Sequence, residues 1–484
     1  MRETVRQRVA SIRRSTLDRM ASGAPYLMSV LNLAIFHVVF RIERGTFLGG
    51  DSSEYLHIAQ MIRSEAFWGS AQNGKPLGFP LVLAVVSSLP GDLVTYVLVF
   101  NALCVLWTVH VVGLIMRLLR CSRGVSLAAQ VVFALVPNTA AWANLVYSDT
   151  MAMALFVTNL WVLLHIMEGG ASTTRCEWFA LLGVLLGWLA ITRTEYGFLL
   201  PLTSVFLLGH GLLRWRRWGA VVRRVALMWA LSLPLLLIQP AASGWKDHRS
   251  LIPPRQSGFL DIWRTWYDLE LTQLRFHQLD GVAQQASRMT SGELVALRFQ
   301  LQALKRSPAG QDPVEDRLLD RLEEDLRAIQ RFVAVQGLSL FDAYRQRGME
   351  RMVNDAAGYV TRVLKRLALF VTAAELDWPR GHPAHFVYTV VLRPVSTLAY
   401  LGLVVLLVTN RACSRATAGI LGVWMVFPSL VHSLFVFEQR FAYPAIPILC
   451  VMLVLAVQAV TKTRHRHDLK SNVSIPRTLE FART

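Results

Sequence analysis

Apolar stretches long enough to cross a bilayer recur along this chain, at about 24–40, 93–116, 125–145, 150–167, 178–192, 196–213, 225–243, 390–409, 416–437 and 441–460. A hydrocarbon layer roughly 30 Å thick takes about 20 helical residues to span, and inside it every backbone amide and carbonyl must bond within the protein. The pattern predicts an all-α polytopic membrane protein with about ten transmembrane helices. Composition agrees, because 54% hydrophobic and 17% charged residues do not describe a soluble globular chain. The apolar segment from Gly78 to Leu89 is too short to span and is interrupted by Pro80, with Pro90 directly after it. It reads as re-entrant or interfacial.

Basic residues set the expected orientation, since short cytoplasmic loops retain Lys and Arg. Arg2, Arg6, Arg8, Arg13, Arg14 and Arg19 precede the first span, and Arg117, Arg120 and Arg123 follow the second. Arg214, Arg216, Arg217, Arg223 and Arg224 lie between spans six and seven, Arg411 and Arg415 between eight and nine, and Lys462, Arg464, Arg466 and Lys470 in the tail. With an even number of spans these fall on one side, so both termini are expected in the cytoplasm of an integral inner or plasma membrane protein. The basic amino terminus reads as a retained signal anchor. The formal charge of +18 is a topology signal and an attraction to anionic lipid rather than a nucleic-acid footprint. In residues 244–384 Lys and Arg number 20 against 18 Asp and Glu, so the longest hydrophilic segment is almost neutral. The cysteines at 104, 121, 176, 413 and 450 fall in spans or expected cytoplasmic loops, so no extracytoplasmic disulfide is expected.

Four units follow. Residues 1–243 form an amino-terminal membrane module with a first outer loop at 41–92. Residues 244–384 form an extracytoplasmic helical segment, 385–461 the carboxy-terminal membrane helices, and 462–484 a basic tail. Within the second unit, Leu318, Leu319, Leu322, Leu326 and Ile329 recur at helical spacing. Residues 356–376 carry Val360, Val363, Leu364, Leu367 and Phe370 on one face and Arg362, Lys365 and Arg366 on the other. That segment reads as an interfacial amphipathic helix or as a stripe packed on its neighbours.

Charged residues, otherwise rare beside the spans, converge on the expected outer face. Asp51, Glu54 and Tyr55 follow the first span, and Lys75 precedes the run Pro76-Leu-Gly-Phe-Pro80. Asp149 opens span four, Arg193 and Glu195 sit between spans five and six, and Arg440 and Tyr443 open the last span. Carboxylates followed by a cation at a membrane boundary suit chemistry on a charged, lipid-borne substrate, because isolated charges at that depth are costly unless used or paired. Each has a plainer reading beside the functional one. Asp51 before Ser-Ser-Glu is a good helix cap, Lys75 can snorkel, Asp149 is favourable at a helix amino terminus, and Arg193 and Glu195 can simply pair. Trp263, Trp266 and Tyr267 can stack on sugars or anchor the interface.

Together, Asp51-Ser-Ser-Glu-Tyr55, Lys75-Pro-Leu-Gly-Phe-Pro80, Val146-Tyr-Ser-Asp149, Leu189-Ala-Ile-Thr-Arg193-Thr-Glu195 and Arg440-Phe-Ala-Tyr-Pro444 resemble motifs of the GT-C superfamily of polyprenyl-phosphate-sugar-dependent glycosyltransferases. The likeness is to the branch with protein O-mannosyltransferases and the lipid A aminoarabinose transferase. It implies a GT-C-like fold with a small helical extracytoplasmic domain, and transfer of a sugar from a polyprenyl-monophosphate donor to an extracytoplasmic acceptor, which is a glycan, lipid or protein. It implies Asp51 as catalytic base, with Glu54 and Asp149 as further acidic site residues. Glu54 departs from the adjacent Asp-Glu pair of several relatives. Tyr55, Lys75, Arg193, Glu195, Arg440 and Tyr443 are then substrate-binding, Lys75 and Arg440 toward phosphate. Residues 270–340 match nothing in the family. No metal-ligand spacing is visible and no cofactor is required, although some relatives use a divalent metal. Two rivals remain at this level. A transporter or flippase of lipid-linked sugars would be expected to carry charges near mid-bilayer in repeated halves. A diphosphate-linked glycan ligase or polymerase would use basic residues such as Arg264, Arg275 and Arg298.

Overall fold

A computed structural model describes residues 2–43, 47–48, 51–64, 75–168, 175–212, 218–242, 313–338, 340–371, 383–409, 415–433 and 443–472. Every regular element among them is helical. The first half runs α1 (Arg2–Glu43), α2 (Ser52–Arg63), α3 (Gly78–Val86), α4 (Leu93–Leu118), α5 (Arg123–Leu135), α6 (Pro137–Ala143), α7 (Asp149–Glu168) and α8 (Cys176–Thr192). A 3-10 turn over Thr194–Phe198 leads into α9 (Leu199–His210), and α10 (Trp218–Ala242) follows. The second half comprises α11 (Pro313–Gln336), α12 (Leu340–Asn354), α13 (Ala356–Val371), α14 (Pro383–Thr409), α15 (Arg415–Ser433) and α16 (Ile446–Asn472).

Over its described residues each of the ten expected spans coincides largely with helix, but their lengths differ. Among the described residues, five segments are long and apolar enough to cross a membrane: Ala21–Val39, Leu93–Leu118, Asp149–Glu168, Trp218–Ile238 and Tyr443–Thr461. The expected span at 125–145 is a bent pair, α5 and α6 meeting at 53°. Val136 precedes Pro137, and the residue before a proline is pushed out of helical conformation. The expected span at 196–213 opens in the 3-10 turn, and its regular α-helix, α9, has 12 residues.

α7 is the most enclosed of the long helices, with 83% of its apolar window buried, and it packs on α4 and α8. One core cluster joins α7, α8, α10, α15 and α16 through Phe156, Leu160, Leu186, Met228, Trp424 and Met452. A second gathers Tyr55, Phe79, Val105, Phe133, Val146, Tyr147, Met151 and Tyr443, and it lies under the candidate site. α8 and α10 approach closely where Gly183 meets Met228. A β-carbon on Gly183 would stand 2.4 Å from the Met228 carbonyl oxygen, and Ser232 Oγ donates to the Gly183 carbonyl at 2.7 Å. With Gly187 one turn on, α8 carries the small-residue spacing that lets membrane helices touch at their backbones.

α11 and α12 form a hairpin held by a buried carboxylate. Asp325 accepts from Arg347 Nε at 2.7 Å and lies 2.7 Å from Arg351 Nη2, the two arginines one turn apart. α13 packs against α15. Val360 and Leu364 are exposed, as an interfacial stripe requires, but Arg366 is fully buried instead of lining a solvated face. There it acts on the Tyr359 phenol two turns earlier. Arg440, together with Trp263, Trp266 and Tyr267, lies outside the described residues.

Candidate functional site

The site is assembled by the segment between α6 and α7. Asn101, buried on α4, donates to the carbonyls of Ala143 at 3.2 Å and Leu145 at 2.9 Å, and Asn144 donates to Leu33 on α1 at 3.2 Å. The Val146 amide donates to the Phe47 carbonyl at 3.2 Å. These bonds satisfy an irregular stretch of backbone among apolar helices, which would otherwise be costly. They also fix where Ser148 and Asp149 emerge.

α2 docks on this segment by two hydroxyls. Ser52 Oγ donates to the Val146 carbonyl at 3.1 Å, and the Tyr55 hydroxyl lies 3.1 Å from Ser148 Oγ. Tyr55 meets Phe79 of α3 edge-on, with ring centroids 5.4 Å apart. Its phenol is pushed up by burial, an effect the Arg193 charge partly offsets.

Asp51 occupies the N-cap position of α2, but its side chain makes no capping bond. Lys75 Nζ instead donates to Asp51 Oδ1 at 2.8 Å and stands 3.4 Å from Glu54 Oε2. The ammonium also lies 6.0 Å from the centre of the Tyr55 ring. Burial works against its charge, yet the Asp51 carboxylate, followed by Tyr55 and Glu54, outweighs it and holds the Lys75 pKa above the usual lysine value. Leu77, fully buried two residues on, anchors this stretch. At Gly78 the chain passes so close to the end of α8 that a β-carbon would stand 2.5 Å from Thr192 Oγ1 and 2.7 Å from the Thr192 amide nitrogen.

Directly after Thr192 comes the second charged group. Arg193 Nη1 donates to Asp149 Oδ1 at 2.9 Å, and its Nε lies 3.1 Å from Glu195 Oε1. The Arg193 side chain is 8% exposed and Asp149 is 3% exposed, whereas Lys75 keeps 26%. Arg193 is therefore enclosed between two carboxylates of its own chain, and Lys75 is the reachable cation of the described site. Tyr443 is buried in the cluster beneath, where its hydroxyl donates to the Thr139 carbonyl at 3.1 Å.

Of the residues singled out in the sequence, Asp51, Glu54, Tyr55 and Lys75 form one contacting group, and Asp149, Arg193 and Glu195 another. Tyr55 joins them through Ser148, which neighbours Asp149. Arg440 lies outside the described residues. Ser52, Ser148 and Thr192 were not singled out. Small polar residues inside apolar surroundings, as in Tyr147-Ser148-Asp149, were the available signal. Among the described residues, no three His, Cys, Asp or Glu side chains gather in a way that could hold a metal ion.

No protein-family model and no curated protein matches the chain. Among solved structures it is similar to the archaeal oligosaccharyltransferase AglB from Archaeoglobus fulgidus, in complex with an inhibitory peptide and a dolichol-phosphate. That likeness has 13% identity, 93% of this chain and 52% of that chain covered, and a TM-score of 0.46. An Archaeoglobus fulgidus oligosaccharyltransferase tethered to an acceptor peptide gives 12% identity, 94% and 52% coverage and a TM-score of 0.45. ArnT from Cupriavidus metallidurans, bound to undecaprenyl phosphate, gives 16% identity, 95% and 82% coverage and a TM-score of 0.35. The chain spans about half the length of the two oligosaccharyltransferase chains. Likenesses at these values assign no residue a role.

Proposed function

We propose that this protein is a membrane glycosyltransferase that moves a sugar from a polyprenyl-monophosphate donor to an extracytoplasmic acceptor. The observation that carries the reading is the Asp51–Lys75 pair: a carboxylate and a partly accessible ammonium, 2.8 Å apart, set among apolar helices and backed by a buried acidic-basic cluster. Transfer from such a donor needs both groups. A base accepts the acceptor's proton, and a fixed cation stabilises charge developing on the leaving phosphate.

In this reading Asp51 takes the proton from an acceptor hydroxyl or amine as that atom bonds to the anomeric carbon. The bond from the anomeric carbon to the phosphate oxygen breaks, and polyprenyl phosphate leaves against Lys75 with Arg440 as a second cation. A single displacement inverts the anomeric centre. Glu54 and Tyr55 set the position of Lys75, and Asp149, Arg193 and Glu195 hold the floor of the site. No step draws on a metal.

The test is consumption of a panel of polyprenyl-monophosphate sugars by purified protein in lipid. Wild type releases free polyprenyl phosphate, and Asp51→Asn at matched folding loses that activity by about 100-fold or more, the scale of general-base catalysis. Full activity in Asp51→Asn would remove Asp51 from the chemistry. Donor moved across the membrane without cleavage would replace the enzyme by a flippase.

A further inference from the structure

The proposed chemistry asks two things of groups that are bonded to each other. A lysine that holds phosphate aims its N–H groups at phosphate oxygens, while a carboxylate that accepts a proton needs a free lone pair. In the structure Lys75 Nζ donates to Asp51 Oδ1 at 2.8 Å. A carboxylate bonded to an ammonium is a poorer proton acceptor than a free one.

We propose that Lys75 is shared between Asp51 and the donor phosphate, so that the phosphate draws the ammonium off Asp51 and releases the base only when donor is in place. This rests on the glycosyltransferase reading above.

Three features of the site suit such an exchange. Lysine is a point charge on a flexible four-carbon stem with three donors, so it changes partners without a backbone move. Arg193, enclosed between Asp149 and Glu195, has no such freedom. Second, the side chain of Lys75 is 26% exposed, so a headgroup can reach it. Glu54 Oε2, at 3.4 Å, and the Tyr55 ring, 6.0 Å from the ammonium, keep it near Asp51 without fixing it to one oxygen. Third, the charge on the phosphate changes during the reaction. A sugar-bearing phosphate is a diester with a single negative charge, and the departing monoester carries about −1.5 to −2 near neutral pH. The pull on Lys75 therefore grows as the sugar–phosphate bond breaks, when Asp51 must accept the proton. An interaction that strengthens toward the transition state is the kind that accelerates a reaction.

The test is a double-mutant cycle on binding of undecaprenyl phosphate, a monoester, to purified protein in lipid, with folding checked by circular dichroism and gel filtration. If Asp51 competes with phosphate for Lys75, Asp51→Asn binds about tenfold more tightly than wild type, a coupling expected of groups in direct contact. Glu54→Gln, which removes the same charge from the longer contact, gains less. In a Lys75→Gln background the gain from Asp51→Asn disappears. A gain that persists without Lys75 reports plain repulsion between Asp51 and phosphate and overturns the proposal. So does wild-type binding that Asp51→Asn leaves unchanged or weakens. Failure of every variant to bind polyprenyl phosphate removes the glycosyltransferase reading together with it, so the two failures are distinguishable.

Discussion

At the scale of single residues, the two charged groups of the site differ in what holds them. Arg193 is enclosed with Asp149 and Glu195, and removing one member of a buried pair leaves the others uncompensated at a cost of about 3–5 kcal/mol. Arg193→Leu is therefore expected to lower the unfolding temperature of the purified protein markedly, and a thermal melt that matches wild type would show the cluster to be dispensable for folding. Lys75 makes a different prediction. Its pKa is raised in the folded protein, so its pairing contributes fully below the ordinary lysine value of 10.5 and fades as pH rises through the folded value. The gap in melting temperature between wild type and Lys75→Met should stay level from about pH 7 to 9 and close only above about pH 10.4. A gap that closes between pH 7 and 9 would mean that Lys75 is not held as the geometry indicates. These charges were legible in the sequence because charge beside a membrane span is costly enough to need a reason. Their partners were not, since Asp51 meets Lys75 across 24 positions and Arg193 meets Asp149 across 44, and no local spacing encodes either pair. The capping alternative for Asp51 was reasonable from Asp-Ser-Ser-Glu. The side chain turned to Lys75 because an ammonium is a stronger partner than a backbone amide.

At the scale of elements, the site depends on how closely α3 can lie against α8. Gly78 is three residues after Lys75 and against Thr192, which precedes Arg193, so this one contact sets the spacing between the two charged groups. A β-carbon there meets backbone at 2.7 Å, which cannot yield as a flexible side chain would. Gly78→Ala should cost about 1–3 kcal/mol as an overpacked contact and, by displacing Lys75, reduce donor turnover more than it reduces the folded fraction. Equal losses in both would show that the contact serves stability alone. Helices over the described parts of the ten apolar stretches were legible from hydropathy, whereas the segment from Gly78, read as re-entrant or interfacial, gave no sign of the helix it forms over Gly78–Val86. The 3-10 turn over Thr194–Phe198 was not legible either. The run Glu195-Tyr-Gly-Phe-Leu reads as the start of a span, but Arg193 is fixed to Asp149 of α7 and Glu195 to Arg193, and the chain tightens to bring Tyr196 into the core before α9 begins. Burial of Arg366 was hidden in the same way, because amphipathic spacing gives the faces of α13 without saying which one meets α15.

At the scale of the whole molecule, the charge pattern and the site make one joint claim about sidedness. The basic segments after α4 and before α10 mark one side of the membrane by the excess of Lys and Arg. The proposed function requires Asp51, Lys75 and the start of α7 at the opposite side, where a flipped polyprenyl-linked sugar would present its headgroup. Two exposed positions separate the alternatives. Cys176, at the start of α8, is exposed and falls on the expected cytoplasmic side. Ser64, just past the end of α2 and within the expected outer loop 41–92, is exposed. In a protein that keeps only Cys176, with Cys104, Cys121, Cys413 and Cys450 replaced, a membrane-impermeant thiol reagent should label nothing in intact cells and should label Cys176 after permeabilisation. The same background with Ser64→Cys and without Cys176 should be labelled in intact cells. The reverse pattern would turn the site toward the cytoplasm. An acceptor in the cell envelope could not then reach Asp51, and the same residues would have to act on a donor before it is flipped.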